Sequence, residues 1–276
     1  VDWLAAYYLE PAGNVLRMVL RSPGAFEGPR EQIAYRATEQ VPKRMTPQRA
    51  RVLEVAREGF AMRAAELAEA AGVGTSVIKA LAKDGALEAV ALPALRRFPE
   101  PDLNGGGYTL SKDQQVAAEA LRAVVAQRQH KVMLLDGVTG SGKTEVYFEA
   151  MAAALASGGQ ILLLLPEIAL TQPFLERVER RFGCEPAQWH SDLRPRERER
   201  VWRGVADGTA RIVVGARSAL FLPWKRLKLI VVDEEHENAY KQDDGVPYHA
   251  RDMAVLYGSI GKFPVVRSSD TPSLET

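Results

Sequence analysis

The sequence contains very little cysteine. Cys184 is the single cysteine among 276 residues, which excludes an internal disulfide and a zinc site built from several cysteines. We therefore expect no zinc site within this stretch. One free thiol is compatible with a reducing compartment, and we expect a cytoplasmic protein.

Long hydrophobic runs are also missing from this sequence. The longest apolar run, residues 161–165, is much shorter than the roughly 20 residues that cross a bilayer as a helix. No signal-peptide pattern is recognisable, and we expect no membrane partner. The sequence starts at Val1 without a methionine and stops abruptly at Thr276, which predicts a fragment of a longer protein.

A strong excess of charge of one sign is absent too. The formal net charge is +1, with 26% charged and 46% hydrophobic residues, which is typical of a globular protein. Any basic surface for nucleic acid must therefore be local. The length predicts about two domains.

A phosphate-loop pattern is the clearest motif that the sequence contains. Residues 137–144 read Gly-Val-Thr-Gly-Ser-Gly-Lys-Thr, between an apolar strand at 131–135 and a helical pattern at 145–156. Free backbone N–H groups and the helix dipole favour an anion there. Lys143 is expected to contact the β- and γ-phosphates, and Thr144 is expected to bind Mg²⁺. The candidate ATP-binding residues of this loop are Gly137, Thr139, Gly140, Ser141, Gly142, Lys143 and Thr144.

An acidic segment follows a second apolar strand. Asp233-Glu234-Glu235-His236, the DEEH segment, comes directly after residues 229–232. In an NTP site, Asp233 would hold Mg²⁺ and Glu234 would act as the base toward water, so Glu234 and Lys143 are the candidate catalytic residues. An acidic turn that merely closes a strand is the competing interpretation, and the phosphate loop upstream disfavours it.

Apolar strands alternate with helical patterns from Leu110 onward. This order predicts an α/β lobe with a parallel sheet and helices on both faces. The predicted strands are residues 132–135, 161–165, 211–214, 229–232 and 264–266. The run of Arg and Glu at 194–203 predicts a solvated helix with internal ion pairs.

Residues 45–98 have a different pattern. Thr46-Pro47 begins one helix, further helices fit 63–71 and 75–83, and 86–92 reads as a strand. Three short helices with a strand hairpin predict a small winged-helix domain. Lys79 and Lys83 on the third helix are candidates for DNA contact. A structural or protein-binding winged helix with a solvated basic face explains the same residues equally well.

Composition shifts suggest where the domains end. We expect a residual amino-terminal segment and linker at 1–44, the winged helix at 45–98, a linker at 99–107 and the P-loop lobe at 108–276. The linker predictions rest on proline and glycine in the two connecting stretches.

Several motifs together resemble the PriA family of primosomal replication-restart helicases, which belongs to the second helicase superfamily. The resemblance is dense over residues 108–276 and looser over 45–98. The segments that carry it are 110–114, 137–147, 166–171, 190–202, 215–221, 233–236, 240–252 and 271–275.

The resemblance implies a RecA-like first helicase lobe that binds ATP and Mg²⁺ within a 3′-to-5′ helicase family. It implies forked or single-stranded DNA as a partner, together with replication-restart and primosome proteins. Gln114 takes the adenine-reading position. The DNA-binding candidates are Thr171 and Arg217 toward phosphates, Tyr240 and Tyr248 toward unpaired bases, and Lys241 and His249 beside them. Ordinary surface or core aromatics are the competing interpretation of the two tyrosines.

The third motif, residues 266–275, departs from the family pattern. Arg267 stands where an apolar residue is expected, and Asp270 replaces a small apolar residue. Because buried unpaired charge is expensive, we expect this loop to be rearranged or exposed, with Arg267 paired to Asp270 or to the DEEH acids. A PriA-like DNA-binding scaffold that no longer unwinds is therefore an alternative. A kinase or transporter ATPase is disfavoured by residues 215–221 and the DEEH segment.

Overall fold

The computed structural model describes most of the chain in two compact units. One unit comprises Val1–Phe26 with Arg97–Thr276, and the other comprises Glu27–Arg96. The described residues are 2–20, 32–42, 44–58, 60–92, 96–105 and 107–273. Predictions that fall on 21–31 and on Leu274 and Glu275 lie outside these residues.

Strands and helices are numbered along the chain. The strands are β1 (Gln32–Ala37), β2 (Met62–Arg63), β3 (Leu87–Leu92), β4 (Val132–Asp136), β5 (Gln160–Leu164), β6 (Ala187–Trp189), β7 (Ile212–Gly215), β8 (Leu227–Val232), β9 (Lys241–Gln242), β10 (Tyr248–His249) and β11 (Val265–Ser269). The α-helices are α1 (Asp2–Tyr8), α2 (Ala12–Val19), α3 (Pro47–Glu58), α4 (Ala64–Ala70), α5 (Thr75–Lys83), α6 (Lys112–Gln127), α7 (Lys143–Ala156), α8 (Gln172–Phe182), α9 (Pro195–Asp207) and α10 (Ala250–Gly261).

A six-stranded sheet organises the larger unit. Its order is β4-β11-β8-β5-β7-β6, and every pairing is parallel. The predicted α/β lobe with a parallel sheet is therefore confirmed. Strand β6 was not predicted, because three residues are too few to produce a readable pattern.

Two apolar layers cover the faces of this sheet. Leu162 and Leu164 belong to one buried cluster, whereas Ile161 and Leu163 belong to the other. Successive side chains of a strand point to opposite faces, so helices must cover both sides. This explains why β5 reads as a continuous apolar run rather than an alternating one.

The first two helices contribute to the same core. Leu4 of α1, with Val15 and Met18 of α2, is buried in the cluster that contains Leu162. Residues 2–19 therefore pack as part of the larger unit and not as a loose leading segment.

The smaller unit combines helices α3, α4 and α5 with an antiparallel sheet of order β2-β1-β3. Its core includes Val52, Leu67 and Ile78. Two predictions are wrong here. Gln32–Ala37, expected in a linker, forms a strand, and it is this upstream strand that pairs with β3 in place of the expected hairpin partner. The winged-helix assignment itself stays a prediction.

The stretch expected to be a linker at 99–107 packs against the larger unit where it is described. The Asp102 backbone N–H donates to the Phe182 carbonyl at 2.7 Å, and Arg211 pairs with Glu100 at 3.0 Å. The compact units divide between Arg96 and Arg97, so these residues are not a free connection.

Helix α9 bears out the interpretation of the Arg-Glu run. Arg200 pairs with Glu197 at 3.2 Å, and Arg203 pairs with Glu199 at 2.9 Å. Within the described ranges, no helix combines the length and the apolar character that crossing a bilayer requires.

Candidate nucleotide site and DNA-facing loops

Three loops meet at the carboxyl edge of the sheet. The phosphate loop follows β4, the DEEH segment follows β8, and the third motif begins within β11 and continues beyond it. Because β11 lies between β4 and β8, the third motif lies between the other two loops. The Gly137 N–H donates to the Ser269 carbonyl at 3.2 Å, and the Glu235 N–H donates to the Ser268 carbonyl at 3.0 Å. The three segments are therefore one hydrogen-bonded assembly.

The phosphate loop has the backbone shape that its glycines permit. Gly140 and Gly142 have φ values of +80° and +82°, in the region that side chains disfavour. A Cβ on Gly137 would approach Ser141 Oγ to 2.8 Å. That hydroxyl is buried without a hydrogen-bond partner. The loop thus retains a polar group that a phosphate oxygen would satisfy.

Lys143 is the first residue of α7 and folds back over the loop. Its Nζ donates to the Gly137 carbonyl at 2.6 Å and lies 3.4 Å from the Val138 carbonyl. These are neutral acceptors, and a phosphate group would be a stronger partner for the ammonium. The ammonium group therefore lies at the loop and can move from these carbonyls to a bound anion.

Gln114 joins helix α6 to the phosphate loop. Its Nε2 donates to the Ser141 carbonyl at 2.7 Å, while its Oε1 accepts from the Ser111 N–H at 2.8 Å. Ser111 caps the helix in return. The side chain anchors the loop in this structure, and its adenine-reading role stays a prediction.

Asp233 is buried at the end of β8, and Tyr147 fixes its position. The Tyr147 hydroxyl donates to Asp233 Oδ2 at 2.8 Å, and the Glu234 N–H donates to the other oxygen at 3.1 Å. Burial first, then the Asp233 charge, hold the pKa of Tyr147 well above its usual value; the Thr144 hydroxyl also contacts it. Tyr147 therefore joins the two predicted Mg²⁺ residues, Thr144 and Asp233.

Sequence reasoning assigned no role to Tyr147. The available signal was its spacing, since it lies one helical turn after Lys143, on the face that meets β8. A buried tyrosine requires a partner for its hydroxyl, and an acid after the neighbouring strand is a natural one.

Glu234 adopts a left-handed backbone conformation, with φ of +48°. Burial, followed by the charges of Asp233 and Asp270, raises the pKa of its carboxyl group, and the Lys143 charge opposes this shift. A raised pKa makes a carboxylate a better proton acceptor. His236 lies beside it, with Nδ1 3.8 Å from Glu234 and 2.8 Å from Ser269 Oγ.

Glu235 has a different environment from Glu234. It is fully buried. Its carboxylate accepts from the Ser273 N–H at 2.9 Å and pairs with Arg251 at 3.5 Å. Glu235 therefore links the DEEH segment to the third motif and helix α10, which favours a structural role.

The predicted exposure of the third motif is wrong for its first residues, whereas Thr271 and Pro272 further along are exposed. Arg267, Ser268 and Ser269 belong to β11 and are buried. Arg267 pairs with Asp252 of α10 at 3.6 Å, and not with Asp270. The charge of Glu235, one of the DEEH acids, also acts on it, as one of the two expectations had it. Asp252 lies across from the strand on the covering helix, so the charge at 267 is accommodated without rearranging the strand. Asp270 instead faces the phosphate loop, where it accepts from Thr139.

The predicted phosphate-binding side chains follow other strands of the same sheet. Thr171 is exposed at the amino end of α8, after β5. Arg217 follows β7 and donates to the carbonyls of Ala239 and Lys241, at 3.4 and 2.5 Å. Lys241 is exposed and pairs with Asp243 at 3.0 Å. Their contact with DNA stays a prediction.

The stacking role expected of Tyr240 and Tyr248 does not fit this structure. Tyr240 is fully buried, and its hydroxyl donates to the Leu164 carbonyl at 3.0 Å and to the Asp233 carbonyl. Tyr248 is buried edge-on against Phe221, with ring centroids 5.0 Å apart. Neither ring presents a face to a base; both hold the segment around β9 and β10 onto the core.

Three candidates remain, one in the larger unit and two in the smaller unit. His249 precedes α10 and is half-buried. Lys79 and Lys83 are exposed on α5 of the smaller unit. Two exposed cations on one helix satisfy both the DNA-contact and the solvated-face interpretations, so their role stays a prediction.

Comparison with known proteins identifies the larger unit. The DEAD/DEAH box helicase family matches residues 111–269. The chain belongs to this family. It is 47% identical over 167 residues to the replication restart protein PriA of Rickettsia conorii, covering 60% of this chain and 25% of that protein. It is 36% identical over 295 residues to PriA of Chlamydia pneumoniae, covering 99% and 38%.

The chain therefore spans about a quarter to two-fifths of the length of these PriA relatives. The resemblance to the PriA family that the motifs indicated is confirmed. A solved structure of RecG bound to a three-way DNA junction aligns with 60% of this chain and 21% of that chain, at 22% identity and a TM-score of 0.47. DEAD/DEAH box helicases use ATP and Mg²⁺, and the family implies DNA binding.

Proposed function

We propose that this chain is the ATP- and DNA-binding part of a PriA-type replication-restart protein. The observation that carries the proposal is the hydrogen-bonded assembly of phosphate loop, third motif and DEEH segment on one sheet edge. A phosphate loop joined to an acid pair in this way is suited to hydrolysing a nucleoside triphosphate. Similarity to PriA over most of the chain supports the replication-restart role.

The residues present fit ATP with Mg²⁺, which supplies a triphosphate whose terminal bond is cleaved by water. The Lys143 ammonium group would leave the Gly137 carbonyl and donate to the phosphate oxygens instead. Thr144 and Asp233, held together by Tyr147, provide the hydroxyl and carboxylate oxygens that Mg²⁺ prefers. Glu234 accepts the proton of the attacking water.

The DNA side of the proposal uses the loops after β5 and β7. Thr171 and Arg217 donate to backbone phosphates, which requires no particular base sequence. Lys241 and His249 extend that surface around β9 and β10. The proposed partner is forked or single-stranded DNA, and replication-restart and primosome proteins complete the assembly.

A PriA-like DNA-binding scaffold that no longer unwinds is the second candidate. One observation favours it: Asp270 adds a negative charge to the nucleotide site and raises the pKa of Glu234. Arg267, by contrast, does not support this alternative, because its charge is paired with Asp252. We expect the full-length protein to bind ATP and forked DNA but to unwind weakly.

An ATPase assay of the full-length protein, with and without forked DNA and paired with an unwinding assay, tests the proposal. ATP hydrolysis that forked DNA stimulates, with strand separation, supports the helicase. Nucleotide and DNA binding without strand separation supports the scaffold. A protein that binds neither ATP nor forked DNA would overturn both.

A further inference from the structure

Asp270 contacts the outer part of the phosphate loop. Thr139 Oγ1 donates to Asp270 Oδ2 at 2.6 Å, and Thr271 Oγ1 lies 3.3 Å from the other carboxylate oxygen. This contact joins the loop after β4 to the loop after β11. A second link, between the Gly137 N–H and the Ser269 carbonyl at 3.2 Å, is made by backbone alone and exists whatever residue stands at 270.

The Asp270 carboxylate is charged in this arrangement. The hydrogen bond from Thr139 is the main cause that lowers its pKa below the usual value. His236 lies near it, with Nε2 3.8 Å from Oδ1. A carboxylate oxygen of Asp270 also lies within 4.8 Å of a carboxylate oxygen of Glu234. Asp270 is therefore an anion on the same side of the loop as the predicted base.

Lys143 acts on the same neighbourhood with the opposite sign. Its Nζ donates to the Gly137 carbonyl at 2.6 Å, on the same loop that Asp270 contacts through Thr139. A negatively charged group that binds between Lys143 and Glu234 is thus attracted by Lys143 and repelled by Asp270. The γ-phosphate of ATP is the group expected there, and ADP lacks it.

Two separable effects follow from one side chain. As a hydrogen-bond acceptor, Asp270 holds Thr139 and with it the loop that must enclose the phosphates. As an anion, it opposes the additional charge that distinguishes ATP from ADP. A neutral acceptor of the same shape would keep the first effect and remove the second.

We propose that Asp270 is a positioning residue that holds the phosphate loop through Thr139 and lowers the affinity for ATP more than for ADP. The proposal rests on the proposed function, since it assumes that ATP binds at Lys143. It goes beyond it by assigning nucleotide selectivity to a residue of the third motif.

The test measures the dissociation constants for ATP and ADP, with Mg²⁺, in the full-length protein and two variants. Asp270→Asn keeps an acceptor for Thr139 without the charge, and we expect about fivefold tighter ATP binding with ADP binding changed less than twofold. Thr139→Val removes the donor and keeps the carboxylate, so both affinities should shift by the same factor.

A measurement without nucleotide tests the loop-holding effect separately. Amide hydrogen exchange in residues 137–142 should become faster in Thr139→Val and stay near wild type in Asp270→Asn. Asp207→Asn is the matched control. Asp207 is exposed at the end of α9 and precedes β7, at the opposite sheet edge, so neither measurement should change.

Equal changes of ATP and ADP affinity in Asp270→Asn, or unchanged affinities for both, would overturn the proposed selectivity. Unchanged exchange in Thr139→Val would overturn the proposed hold on the loop. If the unaltered protein binds ATP, either result leaves the proposed function standing. An unaltered protein that binds no ATP would overturn the function and this inference together.

Discussion

The two halves of the sheet's carboxyl edge are built differently. The loops after β4, β11 and β8 are connected by hydrogen bonds, including Thr139 to Asp270 and Tyr147 to Asp233. The loops after β5 and β7 carry exposed or half-exposed polar side chains, among them Thr171 and Arg217. In the first half side chains connect neighbouring loops to one another, whereas Thr171 and Arg217 in the second half are open or half-open to solvent.

This difference corresponds to two kinds of ligand. A compact, highly charged ligand is bound well by donors that are held in place before it arrives. A nucleic-acid backbone is bound by donors spread along its length, each contributing a small, salt-dependent share. We therefore expect single substitutions in the first half to have large effects on ligand binding or turnover, and those in the second half to have modest effects.

Glu234→Gln should produce the largest effect. ATP hydrolysis should fall by roughly 10²–10⁴-fold because the amide cannot accept the proton of water. ATP should stay bound, and no more weakly than in the unaltered protein because the change also removes a negative charge, so turnover and affinity are measured separately. Glu237→Gln makes the same change of charge at an exposed residue nearby and should hydrolyse normally. Near-normal turnover in Glu234→Gln would show that another group is the base.

Lys143→Ala should weaken ATP binding by about 30- to 150-fold, since a charge-assisted hydrogen bond is worth about 2–3 kcal/mol. Calorimetric titration of the full-length protein measures this. Lys131→Ala, an exposed lysine just before β4, is the matched control and should bind ATP normally. Equal losses in the two variants would argue against the site.

Tyr147→Phe should have an intermediate effect. It removes the buried hydrogen bond to Asp233 and should lower the free energy of unfolding by about 1–2 kcal/mol. More Mg²⁺ should be required for half-maximal ATP binding, because Asp233 is less firmly held. Tyr108→Phe makes the same chemical change at an exposed tyrosine, and it should alter neither quantity. An unchanged Mg²⁺ requirement in Tyr147→Phe would contradict the assigned role.

Arg217→Ala should produce the smallest effect of these four changes. DNA affinity should fall by about three- to tenfold, and the salt dependence of binding should lose about 0.7–0.9 in logarithmic slope. Binding of a forked oligonucleotide at several salt concentrations provides the slope. Arg226→Ala, exposed before β8, should leave the slope unchanged. A preserved slope in Arg217→Ala would remove this residue from the DNA surface.

The nucleotide half was the more predictable half from sequence. Its residues lie within short segments whose spacing alone shows the chemistry, as in residues 137–144 and 233–236. Parallel strands then bring their ends together, which the alternation of strands and helices already indicated. What remained hidden were the contacts between segments, such as Tyr147 with Asp233 or Thr139 with Asp270, because no local pattern encodes them.

Errors arose where burial depends on distant parts of the chain. Tyr240 and Tyr248 look like exposed aromatics of a polar loop, yet Leu164 and Phe221 lie against them in the folded chain. Strand β1 lies in a stretch dominated by turn-forming residues, and β3, one of its two partners, pairs with it at a separation of 50 to 60 residues. From sequence alone we expected burial of the Arg267 charge to cost free energy, because no local pattern connects this residue to Asp252 on helix α10, with which it pairs.

The most direct test measures the affinity for both ligands in one variant from each half. Lys143→Ala and Arg217→Ala are each titrated with ATP and with forked DNA in the full-length protein. We expect Lys143→Ala to lose ATP affinity while retaining nucleotide-free DNA affinity, and Arg217→Ala to do the reverse. Loss of both affinities in either variant, with the fold intact, would contradict the separation of the two halves.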